Sequence, residues 1–335
     1  MRHPLDAAVP KASQPDSDLS ASATNVRTAA TAPTAPTAPT RRARRRAPRS
    51  VRILLASSGV AIVAATLWVA ATPNGVYASD VFGALRAPGE PAFTVGHRGD
   101  RSEAPENTMP ALELALDRLS FVETDVQLTR DGVPVLFHDT TLERVTGDPR
   151  RVGDLTLAEL GELDAGSWYS DDFEDERIPT LAAFLDELEE GSEARALVEL
   201  KADWTPEEVR VVVDLIEARG LRSRVVLQSF SIETLQSVQK VSPATPRIML
   251  IRELPADPVP LALHLGIIGF GTTADSVTAV PGALEAAHAE GIAVLCYTLN
   301  SREHWQEVSA LGVDGIITDQ PSDLDAWIAV TSPGT

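Results

Sequence analysis

The sequence lacks several features that would each point to a class of function. Its single cysteine, Cys296, cannot form a disulfide within the chain. No glycine-rich loop opens the first predicted helix, which argues against a dinucleotide-binding open sheet. Ser229 ends a predicted strand without the flanking glycines of a nucleophile elbow, so a serine nucleophile is not expected.

Positive charge is also scarce over most of the chain, whose net charge is −19. Residues 1–52 contain ten Lys/Arg and three Asp/Glu and carry +7, whereas residues 53–335 carry −26. A folded portion this acidic repels nucleic acid, so no nucleic-acid partner is expected. The hydrophobic fraction of 44% is nevertheless sufficient for a buried core.

The first 52 residues have the composition of a disordered basic tail. They contain the triplet Thr-Ala-Pro three times at 31–39, followed by seven arginines between 41 and 52. Because the tail has few apolar side chains to bury, nothing offsets the entropic cost of ordering it.

One long apolar run, residues 53–71, contains 19 residues without a charge. As a helix it spans about 28 Å, close to the thickness of a bilayer core. Arginines precede the run and none follows at once, so we predict a transmembrane signal anchor at 53–72 with a cytoplasmic N-terminus. The folded part is then membrane-tethered and extracytoplasmic. A cleaved signal peptide, which gives a secreted protein, and a buried core helix are the alternatives.

Residues 73–90 are predicted to be a linker, and one α/β domain follows over 91–330. Apolar runs typical of strands alternate there with amphipathic segments such as 206–219. Repeated β-then-α units favour a (β/α)8 TIM barrel, with a doubly wound open sheet as the alternative. Residues 143–178, rich in Asp and Glu, interrupt the alternation and are predicted to be an insertion. The predicted strands are 92–96, 121–128, 133–138, 196–201, 224–229, 246–251, 267–271, 292–298 and 315–318.

Charged residues lie near the ends of the predicted strands. Glu123 and Asp125 are two residues apart in one strand, as are Glu199 and Lys201 in another, so each pair points to one face. Such a pattern late in a strand is typical of the active-site rim of a barrel. Two carboxylates about 5 Å apart repel by about 3 kcal/mol at an effective dielectric constant of 20. A divalent cation removes this cost, and an all-oxygen ligand set suits Mg²⁺ or Ca²⁺.

Two histidines, His97 and His138, each follow an apolar run. Near neutral pH, two imidazoles can serve as general base and general acid. Arg98 and Lys201 can contact phosphate oxygens, so the set indicates metal-assisted cleavage of a phosphate ester. The simpler readings are packing histidines, a solvated strand face, and ion pairs of the acids with Arg98 or Lys201. Asp139 either orients His138 or is only a turn residue.

Over about residues 93–328, the chain resembles the glycerophosphodiester phosphodiesterases. The resemblance implies a TIM barrel with a short insertion and an enzyme that hydrolyses phosphoric diesters. The order and spacing of many motifs make the resemblance specific. The matching segments are 97–99, 105–108, 123–129, 131–135, 138–139, 199–201 and 314–319.

The resemblance also implies roles for individual residues. One departure is Tyr297, which stands where the family usually has tryptophan and keeps a smaller aromatic wall that carries a hydroxyl. The implied roles are acid–base catalysis by His97 and His138, coordination of one divalent cation by Glu123, Asp125 and Glu199, phosphate binding by Arg98 and Lys201, and shaping of the substrate mouth by Asn107 and Tyr297.

The hypothesis is hydrolysis of a glycerophosphodiester to sn-glycerol 3-phosphate and an alcohol. The attacking oxygen is either water or the 2-hydroxyl of the substrate. An alternative in the same superfamily is a lysophospholipase D or sphingomyelinase-D-like activity on lipid phosphodiesters. An alternative of another class is a noncatalytic, membrane-tethered protein that binds phosphate polymers.

Overall fold

The computed structural model describes residues 75–191, 193–280 and 282–331. The predicted tail at 1–52 and the predicted anchor at 53–72 lie outside these residues and stay predictions. Among the helices that the structure describes, none combines the length and the apolar character needed to span a bilayer.

Nine strands lie in the described residues, and each of the nine predicted strands is confirmed to within two residues at either end. They share one sheet, in which neighbouring strands along the chain mostly pair with each other. The strands are β1 Phe93–Gly96, β2 Phe121–Leu128, β3 Pro134–Leu136, β4 Arg195–Leu200, β5 Val225–Ser229, β6 Arg247–Leu250, β7 Gly269–Thr272, β8 Ala293–Cys296 and β9 Gly315–Thr318.

Eight of these strands form a closed parallel barrel. The pairing order is β1-β9-β8-β7-β6-β5-β4-β2, and β1 also pairs in parallel with β2, which closes the sheet. The strand β3 is antiparallel to the end of β2 and lies outside the parallel ring. The predicted TIM barrel is therefore confirmed, and the open sheet is excluded because β1 and β2, at the two ends of this order, are hydrogen-bonded to each other.

Helices follow the barrel strands and cover the sheet. The helix α6 illustrates how the local sequence forms such a helix. Thr205 and Glu208 form a capping box at its start, and Val209, Val213 and Ile216 are buried on one face. The helices are α1 Ala78–Phe82, α2 Met109–Arg118, α3 Glu143–Thr146, α4 Leu157–Leu160, α5 Leu181–Gly191, α6 Pro206–Ala218, α7 Ile232–Val241, α8 Val259–Leu265, α9 Ala274–Ala279, α10 Ala283–Ala289, α11 Arg302–Leu311 and α12 Pro321–Thr331.

The described part of the predicted 73–90 linker contains the short helix α1. Its Val81 and Phe82 are buried in the same apolar cluster as inward residues of the barrel strands. The Phe82 ring stacks on Phe93 with a centroid distance of 5.5 Å, and Phe93 stacks on Phe121 at 4.4 Å. The amino-terminal end of the barrel is thus filled with apolar side chains, which leaves the carboxyl ends of the strands for chemistry.

The predicted insertion lies between β3 and α5. It contains α3, α4 and two short 3-10 turns, at Val152–Asp154 and Asp171–Phe173. Its own small core joins Leu142, Val152 and Leu160 to Phe137 beside the barrel. The insertion also contacts the segment after β1, where the Tyr169 hydroxyl donates to the carbonyl of Ser102 at 2.7 Å. It is therefore a compact addition that reaches the active-site rim.

Candidate active site

The polar residues of the site project from the carboxyl ends of the barrel strands. In β2, Val122 and Val126 face the surrounding helices while Glu123 and Asp125 face the barrel axis. The same alternation continues past the end of β4, where Lys201 follows Glu199 by two residues. Strand parity thus brings side chains distant in sequence into one cavity.

The three predicted metal-ligand residues converge. Glu123, Asp125 and Glu199 are buried, and one carboxylate oxygen from each lies within 4.8 Å of the others. Burial and the neighbouring charge of Asp125 raise the pKa of Glu199 to about 7. Burial also raises the pKa of Glu123 well above its usual range, and the charges of Asp125 and Glu199 add to this effect. The cluster therefore has more negative charge than its surroundings balance, as expected of a cation site.

Two cations lie against this cluster. The Arg98 backbone N–H donates to Glu123 at 3.0 Å, and Arg98 Nε lies 3.2 Å from Asp125 Oδ2. Lys201 Nζ lies 2.9 Å from Glu199 and 3.4 Å from Asp125. Burial acts to raise the pKa of Asp125, but Arg98 and Lys201 outweigh burial and hold it well below its usual range. Asp125 is therefore the acid of the three that ionises most readily.

Two amides complete the surroundings of the acids. Asn107, predicted at the substrate mouth, lies instead behind the acids: it is 3% exposed and its Nδ2 donates to Asp125 Oδ2 at 3.0 Å. Its Oδ1 accepts the hydroxyl of Thr124 at 2.7 Å. Gln228 donates to Glu123 at 3.2 Å, while its buried Oε1 has no hydrogen-bond partner among the described residues. An unpartnered amide oxygen on a residue that contacts Glu123 is a further potential oxygen ligand.

Backbone strain is concentrated at this site. Among the described residues, four that are not glycine have a positive φ, and three of them belong to the site: Arg98 at 58°, Asn107 at 55° and Ala202 at 63°. Such conformations cost about 1–3 kcal/mol each and persist where the surrounding structure imposes them. The loops after β1 and β4 are therefore held in shapes that serve the site.

His97 lies in the cavity and is oriented by a carboxylate. Its Nδ1 is 2.6 Å from Asp319 Oδ1, and Asn300 Nδ2 donates to the other oxygen of Asp319 at 2.7 Å. Burial lowers the pKa of His97 below its ordinary value, although the hydrogen bond to Asp319 opposes the shift. The ring is therefore neutral near neutral pH, and its Nε2 is the nitrogen left for a substrate.

His138 has a parallel arrangement. Its Nδ1 is 2.7 Å from Asp139 Oδ1, and Arg144 Nε donates to Asp139 Oδ2 at 2.6 Å. Burial acts to raise the pKa of Asp139, but the hydrogen bonds from Arg144 and His138 lower it to about 2. Of the two readings of Asp139, the structure therefore favours the one in which it orients His138.

The residues line one cavity of about 850 Å³. Both histidines, the three acids, Arg98, Lys201 and Gln228 face it, whereas Asn107 does not. Tyr297 lies on its wall with its ring edge against Phe230, at a centroid distance of 5.8 Å, and its hydroxyl donates to the carbonyl of Ile251. The cavity thus has a charged floor and an aromatic side, which fits a phosphate bearing an organic group.

Several residues of the site carried no assigned role in the sequence analysis. Asp319 and Glu106 belong to two of the matching segments, 314–319 and 105–108. The sequence therefore marks both residues, but it does not predict which side chains they contact. Gln228 directly precedes Ser229 and lies two residues after Val226 in the same strand. Strand alternation, which points both side chains inward, was the only indication in the sequence that Gln228 belongs to the site. Arg144 belongs to the insertion, and nothing in the sequence indicates that it reaches the rim.

Comparison with known proteins agrees with this geometry. The model of the Glycerophosphoryl diester phosphodiesterase family matches residues 97–323. The chain is 31% identical over 235 residues to a glycerophosphodiester phosphodiesterase of Caldanaerobacter subterraneus subsp. tengcongensis, covering 69% of this chain and 96% of the relative.

Solved structures show the same relationship. The crystal structure of a glycerophosphodiester phosphodiesterase from Agrobacterium tumefaciens has a TM-score of 0.63 and 30% identity, covering 70% of this chain and 99% of that chain. An Oleispira antarctica phosphodiesterase, solved with its product sn-glycerol-3-phosphate, has a TM-score of 0.63 and 28% identity, covering 70% and 96% of the two chains. The family model spans well over half of the sequence, and the cavity carries the residues that the family resemblance implies. This chain is therefore an enzyme of the glycerophosphodiester phosphodiesterase family.

Proposed function

We propose that the enzyme hydrolyses a glycerophosphodiester to sn-glycerol 3-phosphate and an alcohol by acid–base catalysis between His97 and His138. The observation that carries the proposal is the convergence of both imidazoles and three carboxylates on one cavity. The solved neighbour that holds sn-glycerol-3-phosphate supports the identity of the product. The cavity is large enough for a phosphodiester with a small alcohol on each side.

The proposal includes one divalent cation, Mg²⁺ or Ca²⁺, held by Glu123, Asp125 and Glu199. The donor set fits, because all three ligands are carboxylate oxygens and Gln228, which contacts Glu123, has a buried unpartnered amide oxygen. With all groups ionised, the three acids exceed Arg98 and Lys201 by one negative charge. A bound divalent cation supplies the Lewis acidity that balances negative charge developing on the phosphoryl oxygens.

The residues of the chain have distinct roles in the proposed reaction. His97, neutral because burial lowers its pKa, accepts the proton of the attacking oxygen at Nε2. His138 protonates the leaving alcohol from the opposite side of the phosphate. Arg98 and Lys201 contact nonbridging oxygens, where negative charge increases in the transition state. Asp319 and Asp139 hold the two rings in the orientation that leaves each Nε2 toward the cavity.

The variants His97→Ala and His138→Ala test this assignment. Each removes a proton-transfer group, so kcat is expected to fall by at least about 100-fold while the thermal unfolding temperature changes little. His264→Ala is the matched control because His264 is exposed on α8 and faces no cavity residue. Hydrolysis of glycerophosphocholine by His97→Ala at the wild-type rate would rule out the assignment.

Lipid phosphodiesters are the nearest alternative substrates. Phe230, 43% exposed at the cavity wall, is the observation that favours them, since an exposed aromatic ring can contact an acyl chain. Initial rates on glycerophosphocholine and lysophosphatidylcholine, measured on one preparation, separate the two activities. A higher kcat/KM for the lysolipid would favour a lysophospholipase D. A phosphate-polymer binding protein would instead keep its biological role in the His97→Ala variant.

We also propose that an anchor at 53–72 tethers the enzyme to the membrane, with the tail at 1–52 in the cytoplasm and the catalytic domain outside. The support is the uncharged run preceded by arginines. Recovery of the full chain from membranes after carbonate washing, with the catalytic domain sensitive to external protease, is the expected result. A soluble mature chain that lacks residues 53–72 would instead indicate a cleaved signal peptide.

A further inference from the structure

Glu106, in the loop between β1 and α2, contacts three arginines. Arg98 Nη1 and Arg144 Nη2 each lie 2.7 Å from its Oε1, and Arg101 Nη2 lies 2.8 Å from its Oε2. The Glu106 side chain is 3% exposed and does not line the catalytic cavity. A buried carboxylate with three guanidinium partners costs desolvation energy that only its contacts offset. Glu106 therefore acts on those arginines and not on a substrate.

One arm of this network leads to His97. Arg101, which contacts Glu106, places its Nη1 3.4 Å from Asp319 Oδ1. The same oxygen lies 2.6 Å from His97 Nδ1. The carboxylate that orients the first imidazole is thus held by an arginine that Glu106 holds.

The other arm leads to His138 and, like the first, consists of an arginine followed by an aspartate. Arg144 forms two hydrogen bonds with Glu106, at 2.7 and 3.2 Å, and its Nε donates to Asp139 at 2.6 Å. Asp139 in turn contacts His138 Nδ1 at 2.7 Å. The two arms come from segments that are far apart in the sequence, since Asp319 follows β9 and Arg144 belongs to the insertion after β3. Glu106 is where the two arms meet.

We propose that Glu106 is a positioning residue that sets the relative orientation of the two catalytic imidazoles through Arg101–Asp319 on one side and Arg144–Asp139 on the other. The inference rests on the proposed roles of His97 and His138. A proton donor and a proton acceptor must face opposite sides of one phosphate, and a misplacement of about 1 Å can cost about 100-fold in rate. Removing the shared negative charge leaves three neighbouring guanidinium groups without their common partner, so both arms shift.

The decisive variant is Glu106→Gln, with Glu285→Gln as the matched control. Glu285 is exposed in the first turn of α10, so the control removes the same charge from a site outside the network. Glu106→Gln is expected to lower kcat by about 100-fold with the larger part of the loss in kcat and not in KM. Because Glu106 also contacts Arg98, which faces the substrate, the variants Arg101→Met and Arg144→Met isolate the arms. They also supply the test if Glu106→Gln does not fold.

NMR of the histidine rings separates a positioning role from a general effect on the fold, because it reports on His97 and His138 individually. The chain has six histidines, so ring resonances of protein labelled at histidine can be assigned with single His→Ala variants. Glu106→Gln is expected to shift the ring resonances of both His97 and His138. Arg144→Met is expected to shift those of His138 alone, and Arg101→Met those of His97 alone.

Double variants test whether the residues act as a unit. Combining Glu106→Gln with Arg144→Met should lower kcat by less than the product of the single losses, because the second change breaks an arm already released. Wild-type kcat and unshifted histidine resonances in folded Glu106→Gln would overturn the inference while inactive His97→Ala and His138→Ala keep the proposed function. Full activity of His97→Ala would overturn the proposed function itself.

Discussion

Binding of the divalent cation is predicted to depend on pH through Glu199. Burial and the charge of Asp125 raise the pKa of Glu199 to about 7 in the cation-free protein. A carboxylate must lose its proton to coordinate a metal, so protons and the cation compete for this group. Above pH 7 the group is already ionised and its contribution is constant. Below pH 7 the competition at Glu199 alone weakens cation binding by about tenfold per pH unit, or by about 1.4 kcal/mol per unit.

The same group makes the stability of the cation-free protein depend on pH in a defined direction. An acid whose pKa is raised by folding binds more protons in the folded state, so stability falls as pH rises from about 4.5 to 7. A shift from 4.5 to about 7 corresponds to about 3 kcal/mol of unfolding free energy lost across that window. Added Mg²⁺ or Ca²⁺ is expected to restore that stability above pH 7, because the cation replaces the proton as partner of the acids.

Isothermal titration calorimetry at pH 6 and pH 8, in buffers of different ionisation enthalpy, measures both the Kd and the protons released. Glu199→Gln is the diagnostic variant, because its amide binds the cation more weakly and cannot release a proton. Burial also raises the pKa of Glu123, so Glu123 releases protons of its own when the cation binds. That contribution is still present in the Glu199→Gln variant. Equal Kd values at pH 6 and pH 8 for the wild-type protein, with no proton release, would refute the reasoning.

Three further predictions concern other parts of the site. Activity is expected to disappear in excess chelator and to return with added Mg²⁺ or Ca²⁺, and turnover that persists in chelator would contradict a catalytic cation. A phosphodiester without a vicinal hydroxyl distinguishes the attacking groups: hydrolysis at a comparable rate indicates water, and its absence indicates a cyclic phosphate route. Gly99→Ala is expected to destabilise the fold by about 3 kcal/mol in urea unfolding, because a Cβ would lie 2.5 Å from the Ala111 backbone at a φ of 87°; an unchanged midpoint would contradict this.

Most of the secondary structure was predictable because each strand and most helices carry their own pattern. The strands read as short apolar runs, and the parity of Glu123 and Asp125 places both on the barrel axis. The helices α8 and α9 carry no amphipathic pattern that would predict them from the sequence. Each has seven residues or fewer, and α8 carries proline at its N-cap and again in its first turn, so no helical period develops. The helix α1 was read as linker because its burial depends on the barrel floor and not on its own sequence.

The sequence by itself determined the chemistry of this protein: two imidazoles, three carboxylates and two cations at strand ends, with the alternation that points them inward. Those properties are local, since strand parity and strand ends follow from residues close together in the chain. Only the tertiary structure decided how these groups are held. The pairing of His97 with Asp319 joins residues 222 apart, and it exists because β1 and β9 are neighbours in the closed barrel.

The same reason explains the remaining differences. Asn107 was assigned to the mouth from its motif, yet a positive φ turns its amide back onto Asp125. Arg144 meets Glu106 because the insertion folds over the loop after β1. Contacts between segments that are distant along the chain follow from packing, which no local pattern of residues encodes.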